Sequence, residues 1–130
     1  MALDIGLQKT RGDYEHRFSL SDKDGHYWFM YPWLKDVYKI TGIYVDLYGD
    51  AEFHSGKGLS VLEKALCEAL DAAKNNPSTW QVHVGTQLRP ERKELYMQVV
   101  RKDVIKSISV FLSVLQEAKE TEATVVCNGD

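Results

Sequence analysis

The feature that most constrains the fold is an apolar stripe of helical period between residues 59 and 73. Its members are Leu59, Leu62, Leu66, Leu70 and Ala73. Their i, i+3, i+4 spacing, with charged residues mostly between them, predicts an amphipathic helix. Pro77 ends this helix, because proline disfavours helical geometry in the residue before it. An amphipathic helix must bury its stripe against another element, so the rest of the chain must supply an apolar surface.

A second helix is predicted from about Asp103 to Lys119. Its broad apolar stripe is formed by Val104, Ile105, Ile108, Phe111, Leu112 and Leu115. Asp103 stands at the start of the pattern, where a short carboxylate side chain suits the N-cap position. The chain is therefore predicted to contain two amphipathic helices.

The amino-terminal half contains three predicted strands. Two aromatic-rich segments, 14–20 and 26–31, flank "SDKDG", whose Asp and Gly favour a tight turn, so together they predict a β-hairpin. Residues 43–48 alternate apolar and polar side chains with a period of two. This alternation predicts a half-buried strand that carries two tyrosines and one aspartate on its outer face.

Three more strands complete the prediction. Residues 79–87 and 93–100 predict a hairpin with a longer loop. The closing stretch "EATVVCNGD", residues 122–130, predicts a short last strand whose end is marked by Asn-Gly. The element order is β-β-β-α-β-β-α-β. Two helices are too few to cover both faces of such a sheet. The predicted fold class is therefore α+β, a single mostly antiparallel sheet with two helices packed on one side, in one domain spanning residues 1–130.

Length and composition fit a globular protein, since 130 residues of which 44% are hydrophobic suit one domain. The sequence shows neither a signal-peptide core at its start nor an apolar run of the roughly 20 residues that cross a bilayer. We therefore expect a soluble, cytoplasmic protein. Cys67 is expected to be buried on a helix and Cys127 to be partly exposed, with no disulfide between them.

The stretch "GDAEFHSGKGLS", residues 49–60, looks like a phosphate-binding loop but fails the tests for one. A P-loop needs glycine, four residues and then Gly-Lys-Ser/Thr, but Ala51 and Gly58 stand at the first and last of these positions. A dinucleotide fingerprint needs a glycine where the chain has Val61. The glycines instead predict a strand-to-helix turn and a contact surface. Anion binding at the helix start is the alternative.

The histidines predict no metal site. They are His16, His26, His54 and His83. No pair has the i, i+2 spacing on a strand or the i, i+4 spacing on a helix that aims two imidazoles at one metal. We expect no metal and no cofactor. The enzymatic alternative is a small hydrolase or transferase that uses His54 with Asp46 or Asp50, since paired carboxylates can divide acid and base roles.

The segment 89–102 is basic and contains a tyrosine. The residues that would bind RNA are Arg89, Arg92, Lys93 and Arg101. A basic groove with a stacking aromatic side chain can hold single-stranded nucleic acid. Acidic residues dilute these bases, however, and the whole chain has a formal net charge of −3. We therefore expect a solvated hairpin here and keep an RNA-binding module as the second alternative.

Residues 40–56 contain three acids, Asp46, Asp50 and Glu52, and no lysine or arginine. Tyrosines beside carboxylates suit a protein interface, because they combine apolar contact area with a polar tip and a charge that can meet arginine or lysine. The predicted partner-binding residues are Tyr44, Asp46, Tyr48, Asp50 and Glu52, with Asp22 and Asp24 as outlying candidates.

Three segments, "PSTWQVHVGTQ", "KELYMQVVRKDVIKSISVFLSVLQEAKE" and "VVCNGD", resemble small immunity proteins of bacterial polymorphic toxin systems, including those of contact-dependent growth inhibition. The likeness covers roughly residues 43–130 and lies in the element order, the Trp-bearing strand and the Gly-Asp ending. It implies a non-enzymatic cytoplasmic inhibitor that binds and occludes the C-terminal domain of a cognate toxin, with a nuclease as the expected toxin. An acidic surface with tyrosines suits that role, because a nuclease needs a basic surface for its substrate's phosphates.

Overall fold

The computed structural model describes residues 2–9, 12–54 and 56–129. Its elements in chain order are β1 (Ala2–Gln8), β2 (Tyr14–Ser21), α1 (His26–Thr41), β3 (Asp50–Phe53), α2 (Lys57–Lys74), β4 (Thr79–Gln87), β5 (Lys93–Val100), α3 (Arg101–Thr121) and β6 (Thr124–Gly129). Ser55 of the glycine-rich stretch and Asp130 of the Gly-Asp ending lie outside the described residues. The fold class is α+β with antiparallel sheets, as predicted.

The main sheet is antiparallel and has the strand order β2-β1-β6-β3. Leu3, Ile5 and Leu7 of β1 are fully buried on one face, and Cys127 and Val125 of β6 lie opposite Ile5 and Leu7 in the register. Helix α3 packs against this face, and α2 packs between α3 and α1. The apolar core therefore lies between the helices and one face of the sheet.

The other face of the main sheet carries polar side chains. Asp50, Asn128, Asp4 and Ser19 lie in one row that crosses all four strands. Period-two alternation explains this arrangement, since the neighbours of these residues along each strand point to the core. Acidic groups thus occur on the uncovered face as well as at its edge.

Strands β4 and β5 form a separate two-stranded sheet. Val82 and Val99 are buried, and the ring of Trp80 lies 5.3 Å from the ring of Phe29 on α1. The prediction of a single sheet is wrong, because this hairpin buries its apolar side chains against a helix instead of pairing with the main sheet. The described part of the chain forms two sheets, of four and two strands.

The predicted strand at residues 26–31 is also wrong, since these residues begin α1. Tyr27, Met30, Leu34 and Val37 are buried at helical spacing. Burial of one helix face therefore outweighs the preference of aromatic residues for strands. Glycines in the left-handed conformation flank the helix at both ends. Over the described ranges the protein consequently has three helices and not two.

Residues 43–48 form no strand, although their alternation is correct. Val45 and Leu47 are buried while Tyr48 is exposed, yet the segment is irregular chain followed by a turn. The buried hydroxyl of Tyr27 donates a hydrogen bond of 2.6 Å to the Val45 carbonyl oxygen. The segment is therefore held to α1 through a side chain and not through strand pairing.

The first hairpin of the chain is formed by β1 and β2. The sequence predicted β2 but paired it with residues 26–31, and it missed β1.

The predictions of α2, α3, the β4–β5 hairpin and β6 are confirmed. Asp103 is not the N-cap of α3, because Val100 occupies that position and provides no side-chain hydrogen bond. Asp103 lies instead in the first turn, where its charge still interacts favourably with the helix dipole. Within the described ranges, no helix is long and apolar enough to cross a bilayer.

Both cysteines are free, as expected, but their burial is the reverse of the prediction. Cys67 is exposed and Cys127 is buried. Cys67 lies beside the apolar stripe of α2, where its neighbour Leu66 takes the buried position. Cys127 points into the core from β6, and burial raises the pKa of its thiol to about 12.

Candidate partner-binding site

Five predicted partner-binding residues lie at or beside the free edge of β3. This outermost strand pairs only with β6 in the described chain. The surface, which we call the acidic edge, consists of Tyr44, Asp46, Tyr48, Asp50 and Glu52. A cavity of about 430 Å³ separates β3 from residues 42–46, and all members of the acidic edge except Tyr48 line it. The structure therefore brings these residues together.

The acidic edge owes its charge to the alternation along β3. Ala51 and Phe53 point into the core, so Asp50 and Glu52 are left exposed on the other side. Of the described residues that line the cavity, none is a lysine or an arginine. A positively charged group entering from solvent would therefore meet carboxylates without a competing cation on the walls.

The turn beside β3 is fixed by close contacts. The Tyr48 backbone N–H donates to Asp46 Oδ1 at 3.2 Å, and the Gly129 N–H donates to the Gly49 carbonyl oxygen at 2.9 Å. A Cβ at Gly129 would lie 2.6 Å from backbone atoms of Asp46, Leu47 and Gly49. Only glycine lets the turn pack this tightly on β6, and the turn holds Tyr48 with 58% of its surface exposed.

Tyr44 is half-buried among other tyrosines. Its ring centroid lies 5.5 Å from that of Tyr38 and 6.5 Å from that of Tyr31. Burial raises the pKa of Tyr44 to about 12, and a hydrogen bond with Tyr31 adds to the shift. The phenol is therefore protonated at neutral pH, and its single proton is engaged in the hydrogen bond with Tyr31.

The two outlying candidates lie elsewhere. Asp22 and Asp24 follow β2, which is the outermost strand at the opposite side of the main sheet from β3. Asp24 Oδ1 accepts a hydrogen bond of 3.0 Å from the His26 backbone N–H at the start of α1. The structure thus separates both aspartates from the acidic edge and gives Asp24 a local role in starting a helix.

The residues of the hydrolase alternative do not converge. His54 Nδ1 lies 2.9 Å from Thr124 Oγ1, and His54 Nε2 lies 3.8 Å from Glu52 Oε2. The cavity that Asp46 and Asp50 line does not include His54. Across the described ranges, no group of three His, Cys, Asp or Glu side chains is placed to hold a metal ion.

Among the described residues, two groups of serine, histidine and aspartate side chains lie outside the acidic edge. In the first, His26 Nδ1 is 2.6 Å from Ser107 Oγ and 3.6 Å from Asp24 Oδ2. A second group, around His16, has the same arrangement. In a catalytic triad the serine and the carboxylate contact different imidazole nitrogens, so that the base is held on one side and reacts on the other. Each group here uses one nitrogen for both partners and lacks that geometry.

The basic residues of the RNA-binding alternative, Arg89, Arg92, Lys93 and Arg101, are exposed at the distal end of the β4–β5 hairpin and at the start of α3. Arg92 pairs with Glu94 at 3.4 Å, and Arg101 donates to a backbone carbonyl oxygen at 3.1 Å. Hydrogen bonds from Thr86 and His83 lower the pKa of Glu94. A stable negative charge thus lies within the basic segment.

A larger cavity lies between α1 and β4, and the sequence analysis missed it. Its volume is about 580 Å³. We call it the aromatic groove, after its lining residues Trp28, Phe29, Tyr31, Trp33 and Trp80. Four of the five lie on α1. Their i, i+3 and i, i+4 spacings place them as neighbours on a helix surface, so these spacings could have predicted the wall of the groove. The incorrect strand prediction for residues 26–31 concealed those spacings.

Comparisons with family models, with curated proteins and with solved structures found no match. What the chain does must therefore be inferred from its own surface.

Proposed function

We propose that this chain is a non-catalytic immunity protein that binds and occludes a cognate bacterial toxin domain, expected to be a nuclease, through the acidic edge. One observation carries the proposal. Three carboxylates, those of Asp46, Asp50 and Glu52, lie beside an exposed tyrosine around a shallow cavity whose described lining contains no basic residue. The resemblance of the sequence to immunity proteins supplies the class of partner.

Electrostatics supports this type of partner. A nuclease domain needs a cationic surface for its substrate's phosphates, and an acidic inhibitor surface is attracted to the same place. Complementary fields increase the association rate and disfavour partners of like charge. Tyr48 adds apolar contact area together with a polar tip, which is the combination enriched at protein interfaces.

The acidic edge is also rigid, which reduces the entropic cost of binding. Strand pairing with β6 fixes Asp50 and Glu52. The hydrogen bond to Asp46 and the close approach at Gly129 fix the turn that carries Tyr48. A partner therefore meets a preformed surface and does not have to order a loop.

The test reverses two charges without touching the turn. Asp50→Lys with Glu52→Lys should lower the association rate constant for the toxin domain encoded beside this gene by about tenfold or more at low salt. The matched control is Glu68→Lys with Asp71→Lys, which makes the same change in charge on exposed positions of α2. Stopped-flow association at two salt concentrations provides the measurement.

The control pair should leave the association rate near the wild-type value, and the difference between the two variants should shrink at high salt. Equal rates for both variants would show that net charge alone, and not the acidic edge, governs binding. If the wild-type chain did not bind the toxin domain, the proposed immunity function would be wrong.

A further inference from the structure

The aromatic groove runs along the backbone edge of a strand. Six consecutive residues of β4, from Trp80 to Gly85, line it. Successive side chains of a strand point to opposite faces, so a cavity that touched only one face would be lined by every second residue. An unbroken run of six means that the cavity follows the edge of β4, and β4 pairs only with β5 in the described chain.

The hydrogen-bond register shows which backbone groups face this free edge. The Arg101 N–H donates to the Ser78 carbonyl oxygen at 2.9 Å, one position before the ladder that begins with Thr79 opposite Val100. Hydrogen-bonded and non-hydrogen-bonded positions alternate in an antiparallel pair. The backbone groups of Trp80 and Val82 are therefore directed towards β5. Those of Gln81 and His83 are directed outwards, towards the groove.

The opposite wall of the groove offers a further acceptor. Pro32 lies inside α1 and lines the groove together with Trp28. Proline has no backbone N–H, so it leaves the Trp28 carbonyl oxygen, four residues earlier, without its helical hydrogen bond. An acceptor is thus available on the helix face that lines the groove.

The aromatic lining of the groove favours a cationic ligand. The described lining contains no lysine, arginine, aspartate or glutamate but three tryptophans and a tyrosine. Aromatic faces and a free carbonyl oxygen both attract a cation, and a guanidinium group can stack on a ring while it donates a hydrogen bond. The groove also meets the acidic edge, because Tyr31 of the groove contacts Tyr44.

We propose that the aromatic groove binds an extended segment of the partner protein, which bears an arginine or lysine side chain and joins the free edge of β4 as a third strand. Main-chain hydrogen bonds to Gln81 and His83 supply the pairing, and the aromatic wall accepts the cationic side chain. The inference rests on the proposed function for the identity of the partner, whose cationic surface would extend from the acidic edge into the groove.

The test uses a phage-displayed library of random heptapeptides, selected on the immobilised protein. Selection should enrich peptides that contain arginine or lysine among strand-favouring residues. Gln81→Pro removes the outward N–H, a change that an edge strand tolerates on its unpaired side. It should weaken binding of a selected peptide by about tenfold, which corresponds to one lost hydrogen bond.

Gln98→Pro is the matched control. Gln98 lies directly opposite Gln81 in the register, so its N–H points away from β4 at the other side of the hairpin. This variant should bind the selected peptide as tightly as wild type does. Hydrogen exchange on the wild-type protein gives an independent measurement, since the peptide should slow exchange of the Gln81 and His83 amides.

Equal affinity of the selected peptide for wild type and Gln81→Pro, with unprotected Gln81 and His83 amides, would overturn strand addition. A selection that yields no peptide above the Gln81→Pro background would do the same, and enrichment of uncharged peptides alone would overturn the cationic ligand. Because the probe is a peptide and not the toxin, absence of toxin binding would contradict the proposed function without deciding this result.

Discussion

The acidic edge and the aromatic groove are both free strand edges, but the strands differ in how they can be used. β3 has four residues, and its exposed side chains are carboxylates. β4 has nine residues, and its groove is lined by aromatic rings. Short, charged edges discourage pairing with another strand, whereas long apolar edges permit it. The edge of β3 is therefore suited to recognition through its side chains, and the edge of β4 to recognition through its backbone.

The two regions also differ in what holds them. The acidic edge depends on backbone contact, because the turn before β3 packs on Gly129 with no room for a side chain. The aromatic groove depends on ring packing, since Phe29 lies 5.3 Å from both Trp33 and Trp80. Substitutions at these contacts should therefore damage one region and spare the other.

The largest effect is expected at Gly129. Gly129→Ala should lower the free energy of unfolding by about 3 kcal/mol, because the new methyl group would overlap backbone atoms that cannot rotate away. Urea denaturation measures this loss. The same variant should bind the toxin domain more slowly, while a peptide selected on the aromatic groove should bind with wild-type affinity.

Gly85→Ala is the matched control for that prediction. A Cβ at Gly85 would meet no atom within 4 Å, so its unfolding free energy should stay within about 0.5 kcal/mol of wild type. Equal stability of the two variants would show that the turn moves aside easily, and the contrast between a backbone-held edge and a ring-held groove would then fail.

A smaller loss of stability is expected at Trp80, in the ring packing of the aromatic groove. Trp80→Ala should cost about 2 kcal/mol, less than a fully buried tryptophan would, because this side chain is only half-buried. It should also abolish peptide binding in the groove and make the toxin dissociate faster, because a segment of the toxin would lose its site there, while the association rate constant set by the charges of the acidic edge stays unchanged. Tyr96→Ala, on the opposite face of the same hairpin, serves as the control, since Tyr96 is 59% exposed. A lower association rate constant for the toxin in Trp80→Ala would mean that the two regions are one unit.

The smallest effect concerns the tyrosines where the two regions meet. Tyr44→Phe should cost about 1 kcal/mol at neutral pH, the typical contribution of one hydrogen bond. Tyr38→Phe is the control, because Tyr38 is 49% exposed. Its unfolding free energy should change by less than about 0.5 kcal/mol.

The pKa of Tyr44 also predicts how the stability of Tyr44→Phe depends on pH. The pKa of Tyr44 is about 12 in the folded protein and about 10 in an unfolded chain. Between these values the unfolded state loses its proton first, so the folded state binds more protons and stability falls as pH rises. Tyr44→Phe should reduce this fall and Tyr38→Phe should retain it. If the unfolding free energies of wild type and Tyr44→Phe had the same slope against pH, the Tyr44 hydroxyl would be solvated in the folded protein.

The elements that the sequence predicts correctly are those whose burial pattern is local. The leucine stripe of α2 and the alternation of β4 and β5 repeat over several turns or pairs, so a short window contains the whole signal. α1 has a local pattern too, since Tyr27, Met30, Leu34 and Val37 recur at helical spacing, but competing signals conceal it. Its aromatic residues favour strands by propensity, and Pro32 argues against a helix, so only packing on the rest of the molecule decides the outcome.

The candidate site divides in the same way. Tyr44, Asp46, Tyr48, Asp50 and Glu52 are close in sequence, and their convergence is predictable from spacing. The position of Asp22 and Asp24 depends on the strand order, because two other strands lie between β2 and β3. The aromatic groove joins α1 to a tryptophan at position 80, a contact between distant parts of the chain that no short window contains.

The place of β6 in the sheet has a consequence for how the protein is made. β6 follows α3 in the chain, yet it lies between β1 and β3 and pairs with both. On a ribosome, therefore, β3 has no neighbour to pair with until residues 124–129 have been synthesised, and such long-range pairing is slow to form. The hairpin of β4 and β5 needs only its own loop to close. A growing chain thus completes the β4–β5 hairpin before it gains its carboxylate-bearing edge.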